Sequence, residues 1–310
     1  EEEQKNFSWR QEGDRIYGPG TVDIKGGTVM IYIVLDAIQT LAPHLFEAVN
    51  WHLGIDSSEE ALSDDFGMLC LERFPQNTLA CLVFEGGTPN QKAFSLVVAR
   101  KGRATFQVSV DGRSAHAGNN HALGANAILQ LAHTVQHIAA LTNYEEKITY
   151  NVGTITGGSV INRVPHYAEA GVEMRAFSPL IFDQGVRNIM TLNGEGQISS
   201  SDGFPCRVSI RQVFQTDPWP RNPASDRLFT IWQSSGDDLG FQVKTEERGG
   251  LSDGNLIWEH IPVLDGLGPV AGSVGGFCLL QMGQQLLLLL YGGQLLPSIA
   301  KVRINREEFC

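Results

Sequence analysis

Two stretches of strict alternation constrain this chain most. Ala104, Phe106, Val108 and Val110 take turns with Thr105, Gln107, Ser109 and Asp111, and Ala168, Ala170, Val172, Met174 and Ala176 repeat the pattern. A period of two over that length predicts strands of a sheet with one face in water. Between them, Ile128, Leu131, Val135 and Ile138 make a helical stripe over 122–141. A second helix is expected over 180–193 and a last strand through Val208 and Ile210. The order β-α-β-β-α-β is that of a ferredoxin-like sandwich, with helices on one face of an antiparallel sheet.

The flanks read differently. Through the first 93 residues strand-like runs alternate with helical ones, the mark of an α/β layer. Residues 28–41 are apolar nearly all round and predict a helix buried against a sheet. Residues 48–56 and 78–84 read as buried strands, each ending at acidic residues, and His52 is expected to be packed within the first. After Asp217-Pro218-Trp219-Pro220 the α/β character returns, as helix 224–237, strand 241–245, helix 252–259 and strand 261–264. The expected fold is a discontinuous α/β domain, in 1–93 and 217–272, interrupted by an inserted α+β domain over 94–216. A chain of 310 residues is long enough for two such cores.

Residues 273–310 form a tail of another kind. Gly266 through Ala300 contains no charged residue and includes the run Leu286–Leu290. A membrane span needs about 20 continuous apolar residues, and Gln281, Gln284, Gln285, Gln294 and several glycines interrupt the stretch. It is therefore expected to be a degenerate or frameshifted tail rather than a span. At the other end, Glu1-Glu2-Glu3-Gln4 carries no initiator Met and no apolar leader, so the chain is expected to begin partway through a longer, cytoplasmic protein.

A formal net charge of −11 disfavours nucleic acid and anionic membrane as partners. Five cysteines, widely spaced and with no CxxC pair, disfavour both a disulfide framework and a thiolate zinc site, and most read as buried small hydrophobes.

The chemistry lies in acidic side chains at expected element ends. In Gly18-Pro19-Gly20-Thr21-Val22-Asp23-Ile24-Lys25-Gly26-Gly27, glycines flank one acid. Neither a dinucleotide fingerprint nor a phosphate-binding loop fits that spacing. The glycines allow a tight turn that brings the Asp23 carboxylate to a helix start, where it could equally serve as a simple N-cap. Glu59 and Glu60 follow the first buried run, and Glu85 closes the next before Gly86-Gly87. Strand C-terminal ends are where α/β sheets place their ligand sites. No GxSxG elbow is present to anchor acyl-enzyme chemistry. His133 and His137 stand at i and i+4, a spacing that can bind zinc, but they lack the accompanying Glu and read as surface or interface residues.

The ordered set is more specific than any one motif. The Gly-Pro-Gly…Asp23…Gly-Gly run, the pair Glu59-Glu60, Phe84-Glu85 and Ser114-Ala115-His116-Ala117-Gly118 come in sequence. Asn162-Arg163-Val164-Pro165, Gly249-Gly250-Leu251-Ser252-Asp253 and Asp265-Gly266-Leu267-Gly268-Pro269 complete the series. Over about residues 15–272 the chain resembles the di-zinc metallopeptidase family of glutamate carboxypeptidase, aminoacylase, acetylornithine deacetylase and succinyl-diaminopimelate desuccinylase.

That resemblance implies a zinc-activated water attacking the amide bond of an N-acyl amino acid or small peptide. Asp23 would bridge two zinc ions, with cobalt or manganese as alternatives, while Glu60 holds one and Glu85 the other. Glu59 would be the general base, and His116 would help to stabilise the oxyanion. Asn162, Arg175, Gly250 and Ser252 would contact substrate. The inserted domain would pair two copies into a homodimer. The resemblance also calls for a His-x-Asp upstream and a His near Ser273–Gly276. No His precedes His44 and none follows His260. Two zinc ligands are therefore expected to be missing, and the alternative is a catalytically impaired relative that only dimerises or binds.

Overall fold

The computed structural model describes residues 9–13, 15–56, 64–88, 93–240, 242–269 and 276–278. Of Asp23 the backbone alone is described. Glu59, Glu60 and nearly all of the expected tail lie outside these residues.

In chain order, β1 (Arg10–Glu12) and β2 (Arg15–Tyr17) form a hairpin, and a single π-helical turn, Thr21–Lys25, runs straight into α1 (Gly26–Leu41). Then come α2 (Pro43–Ala48), α3 (Asp64–Arg73), β3 (Cys81–Leu82) and β4 (Ala93–Arg100). The next stretch holds β5 (Gly102–Asp111), β6 (Ala115–His116), α4 (Ala127–Ala140), β7 (Thr149–Gly157), β8 (Arg163–Val164), β9 (Tyr167–Ala176), α5 (Pro179–Met190), β10 (Gly194–Ser199) and β11 (Pro205–Thr216). Last are α6 (Pro223–Leu239), β12 (Gln242–Arg248), α7 (Gly254–Ile257), β13 (Val263–Leu264) and β14 (Gly276–Cys278). The chain divides into two units, 1–99 with 221–248 and 252–310, and 100–220 with 249–251.

The second unit is a five-stranded antiparallel sheet in the order β10-β11-β5-β9-β7. Its register sets Ala104 opposite Met174, Phe106 opposite Val172 and Val108 opposite Ala170. The alternating residues thus share one face, and that face is buried with Leu131, Ile138, Phe182 and Ile189 of α4 and α5. Both helices begin at side-chain caps: Asn126 accepts from the Leu129 N–H, and Ser178 accepts from the Ile181 N–H ahead of Pro179. The buried stripe of α4 departs from expectation. Leu131 and Ile138 are inside, Val135 is partly so, and Gln130 and Thr134 are buried where Ile128 turns outward.

In the first unit Met30, Val34, Leu96, Val98, Phe229, Trp232, Val243, Leu264 and Leu267 make the core. β3 pairs with β13 in parallel, and β12 pairs with β4. The α6 boundaries follow the sequence: Asn222 caps the start before Pro223, and Gly240 ends it at φ 76°.

Two expectations for this unit are corrected. Residues 51–56 are not a strand: Trp51, Leu53 and Ile55 are exposed at 39%, 57% and 62%, and no strand among the described residues pairs with them. His52 is likewise exposed, its ring set against Phe74 at 5.4 Å. Helix α1 is not buried all round either; Met30 and Val34 face the core while Val29 and Tyr32 face out. Apolar composition does not bury a segment unless a second surface is there to cover it.

Candidate functional site

Three glycine-bearing segments of the first unit approach one another too closely for side chains. A Cβ on Gly27, at the start of α1, would meet the Phe84 carbonyl and Ile24. One on Gly26 would meet the Thr21 carbonyl and Pro269, and one on Gly268 would meet the Phe84 and Glu85 carbonyls. The turn that bears Asp23, the segment ending in Glu85 and the Gly266–Pro269 turn therefore come together, from points some 60 and 180 residues apart in the chain. Close backbone approach is what the glycines on either side of these acids permit.

Glu85 is half-buried and its backbone is held from one side by a 2.8 Å bond from the Gly268 N–H to its carbonyl. The adjoining turn is closed by the Gly87 N–H on the Pro269 carbonyl at 2.9 Å. A charged strap from β12 completes it. Arg248 donates from Nη1 to the Gly86 carbonyl at 2.5 Å, from Nη2 to Thr88 Oγ1 at 2.7 Å and from Nε to Glu246 Oε1 at 3.0 Å. Thr88 in turn donates to the Glu246 carboxylate at 2.7–2.8 Å. Each of the three Arg248 nitrogens thus meets an acceptor, and half-buried ionised groups need such matching.

Ser252 and Gly250 fall in different surroundings. Ser252 is buried, donates to Asp265 Oδ2 at 2.7 Å and accepts from the Gly254 N–H at 3.2 Å, while its own N–H donates to Asn255 Oδ1. Asp265, fully buried, also accepts from the Gly266 N–H. Gly250 is exposed, and its carbonyl accepts from Arg100 Nη1 at 3.0 Å. Near this cluster burial pushes the Cys81 thiol up to about 12, with Cys70, Asp253 and Asp265 adding to the effect. A thiol that keeps its proton is a poor nucleophile and a poor metal ligand.

In the second unit, β6 and β8 pair antiparallel with His116 opposite Arg163, and the Ala117 N–H donates to the Asn162 carbonyl at 3.0 Å. His116 and Asn162, both exposed, thereby lie side by side at one antiparallel strand pair although they stand 46 positions apart in the chain. The His116 Nδ1 accepts from the Gly118 and Asn119 N–H groups at 3.1 and 3.2 Å. In the neutral ring this leaves the proton on Nε2, as a donor. Arg175, on β9, makes a fork to Glu173 at 2.6 and 3.1 Å and donates to the Gly249 carbonyl at 2.7 Å.

Among the described residues no group of three or more His, Cys, Asp or Glu is placed to hold a metal ion. Of the expected metal ligands, Glu85 alone has a described side chain. His133 and His137 are both exposed on α4. Sequence reasoning gave no part to Arg100, Arg248, Glu246, Thr88 or Asp265. Only Asp265 carried a signal, as the first residue of the Asp-Gly-Leu-Gly-Pro run; the others are single polar residues in strands or loops.

Comparison with known proteins adds the following. Residues 98–192 match the family model described as a peptidase dimerisation domain. Carboxypeptidase G2 of Pseudomonas sp. is 23% identical over 262 residues, which are 84% of this chain and 61% of that protein. Acetylornithine deacetylase of Pectobacterium atrosepticum is 24% identical over 279 residues, 86% of this chain and 67% of the relative. The chain spans about three-fifths of the length of the first of these relatives. In fold it is similar to an aminopeptidase of Bacillus cereus, with a TM-score of 0.66, 16% identity, and coverage of 92% of this chain and 75% of the other. A tripeptidase of Staphylococcus aureus gives 0.65 at 18% identity, covering 93% and 75%. An α/β domain with a separate dimerisation element is the architecture these likenesses share. No helix among the described residues is long and apolar enough to cross a membrane.

Proposed function

We propose that the protein to which this chain belongs is a metal-dependent amide hydrolase, acting on an N-acyl amino acid or short peptide. The observation that carries this reading is the convergence of the Asp23 turn with the Glu85 turn, permitted by Gly26, Gly27 and Gly268. Two acids from distant points in the chain, carried on turns that meet, would form the kind of oxygen-donor set that suits a divalent cation. The related carboxypeptidase and deacetylase favour the same class of reaction.

In this reading Asp23, Glu60 and Glu85 would hold zinc, or cobalt or manganese in its place. When bound, such a metal polarises a carbonyl and makes water more acidic. The remaining work falls to the chain's own residues. Glu59 would accept the proton of the attacking water and pass it to the leaving amine. His116 would donate its Nε2–H to the oxyanion, with the ring held in that tautomer by the Gly118 and Asn119 amides. Asn162, Gly250 and Arg175 would bind the substrate's polar groups. Ser252 would hold the loop through Asp265. The dimerisation domain would pair two copies.

A second reading is a dimerising or binding protein without catalysis. It is favoured by the lack of any His between Ile261 and Cys310, where the resemblance calls for a zinc ligand. Metal analysis of the purified protein, with an assay of N-acetyl amino acid hydrolysis, separates the two. Bound zinc and turnover that is lost on chelation and in Glu59→Gln support the hydrolase. A protein that dimerises yet stays metal-free at saturating zinc, without turnover, overturns it.

A further inference from the structure

The loop between β12 and α7 is gripped in an unusual way. Three consecutive carbonyls, those of Gly249, Gly250 and Leu251, each accept from a guanidinium. Arg100 Nη1 serves Gly250 at 3.0 Å and Leu251 at 2.9 Å; Arg175 Nη1 serves Gly249 at 2.7 Å. Arg100 is 4% exposed, so its charge is committed to the interior of its unit and not to solvent. Its backbone is fixed as well: the Arg100 N–H donates to the Trp219 carbonyl at 2.8 Å and its carbonyl accepts from the Trp219 N–H at 3.1 Å. Arg175 is stiffened by its fork to Glu173. Both arginines thus reach the loop from anchored positions on β4 and β9.

The loop needs such support. Gly249 and Gly250 have the largest backbone freedom of any residue type, and both are exposed. Ordering a residue costs about 1–2 kcal/mol in backbone entropy. A hydrogen bond from an ionised donor is stronger than one between neutral groups, and here three of them act on three adjacent peptides. A Cβ at Gly250 would lie 3.6 Å from Arg100 Nη1, so the guanidinium sits directly against the backbone it holds.

We infer that Arg100 and Arg175 are positioning residues that fix the Gly249–Leu251 backbone, and with it the polar groups that Gly250 presents to a bound substrate. The substrate half of this rests on the hydrolase reading above; the clamp does not. Arg100 accordingly positions this loop, although it lies some 150 positions away in the chain.

Hydrogen exchange of the whole protein, read by mass spectrometry, tests the clamp without metal or turnover, so its result is independent of whether the protein hydrolyses anything. The variants are Arg100→Gln, Arg100→Lys and Arg175→Gln. In Arg100→Gln, amides in 249–255 are expected to exchange at least about tenfold faster. Peptides from β5, β9 and α4 should keep their wild-type protection, and Arg100→Lys should restore part of the effect. A merely structural role for Arg100 would instead speed exchange throughout the sheet, and that result overturns the inference. So does unchanged exchange in 249–255. Should Arg100→Gln fail to fold, Arg175→Gln, whose side chain is partly exposed, carries the same expectation at Gly249 and Gly250.

Discussion

At the scale of single residues, the tightest constraints sit on glycines and on buried polar groups. Gly27→Ala would push a methyl against the Phe84 carbonyl. Backbone on both sides must then shift, so the variant is expected to lose more than about 2 kcal/mol in a denaturant titration. Gly203, whose added Cβ would meet nothing within 4 Å, is the contrast; its φ of 86° makes alanine costly for a conformational reason alone. Tyr150 gives a pH signature. Its buried hydroxyl donates to the Gly185 carbonyl at 2.8 Å, and burial raises the phenol to about 12. The folded state therefore keeps a proton that the unfolded chain releases near pH 10. This contribution is fully present below about pH 10 and is lost as pH rises through 12. Tyr150→Phe should cost about 1 kcal/mol at neutral pH and flatten the fall in melting temperature above pH 10. Asp202 works at the other extreme. Its carboxylate, paired with Arg113 and Ser200, is held down to about 2, so its support is present above pH 4 and fades as pH falls through 2.

At the scale of elements, the period-two strands were legible because their pattern reports directly which face is wet. Ala104 to Val110 and Ala168 to Ala176 alternate in sequence, and they alternate in burial. The helix α4 could be placed from its apolar stripe, and α6 from the return of α/β character after the Asp217–Pro220 break. What sequence does not show is how a helix joins a distant strand through a polar side chain. Gln130 is buried on α4, bonds Thr134 Oγ1, and accepts the Ile198 N–H of β10 at 2.9 Å. A polar residue in an apolar helix reads as surface, yet here it ties α4 to the edge of the sheet. Gln130→Leu should leave that N–H unpaired and destabilise by about 1–3 kcal/mol, seen as a lower urea midpoint with unchanged slope. The segment 51–56 was misread for the opposite reason. Trp51, Leu53 and Ile55 have strand composition, but a strand also needs a neighbour to pair with, and composition does not report one. The motif residues could be ordered along the chain, whereas the arginines that hold their loops, Arg100 and Arg248, stand in no pattern at all.

At the scale of the whole molecule, the dimerisation domain has one edge strand suited to meeting a second copy. β7 ends the sheet, and Ile155 on it is 57% exposed, with Val160 and Ile161 exposed in the turn that follows. Unpaired strand edges with apolar side chains favour association, and a lysine placed on an edge opposes it. Ile155→Lys is therefore expected to convert a dimer to a monomer in analytical ultracentrifugation while the melting curve at low concentration stays as it was. A persisting dimer would put the interface elsewhere. The account's central claim concerns the other unit: that the Asp23 and Glu85 carboxylates share one divalent cation. Calorimetric titration with zinc of the wild-type protein, Asp23→Asn and Glu85→Gln tests it most directly. The account predicts saturable uptake by the wild type and its loss in each single variant. Uptake of equal affinity and stoichiometry in all three proteins would contradict it.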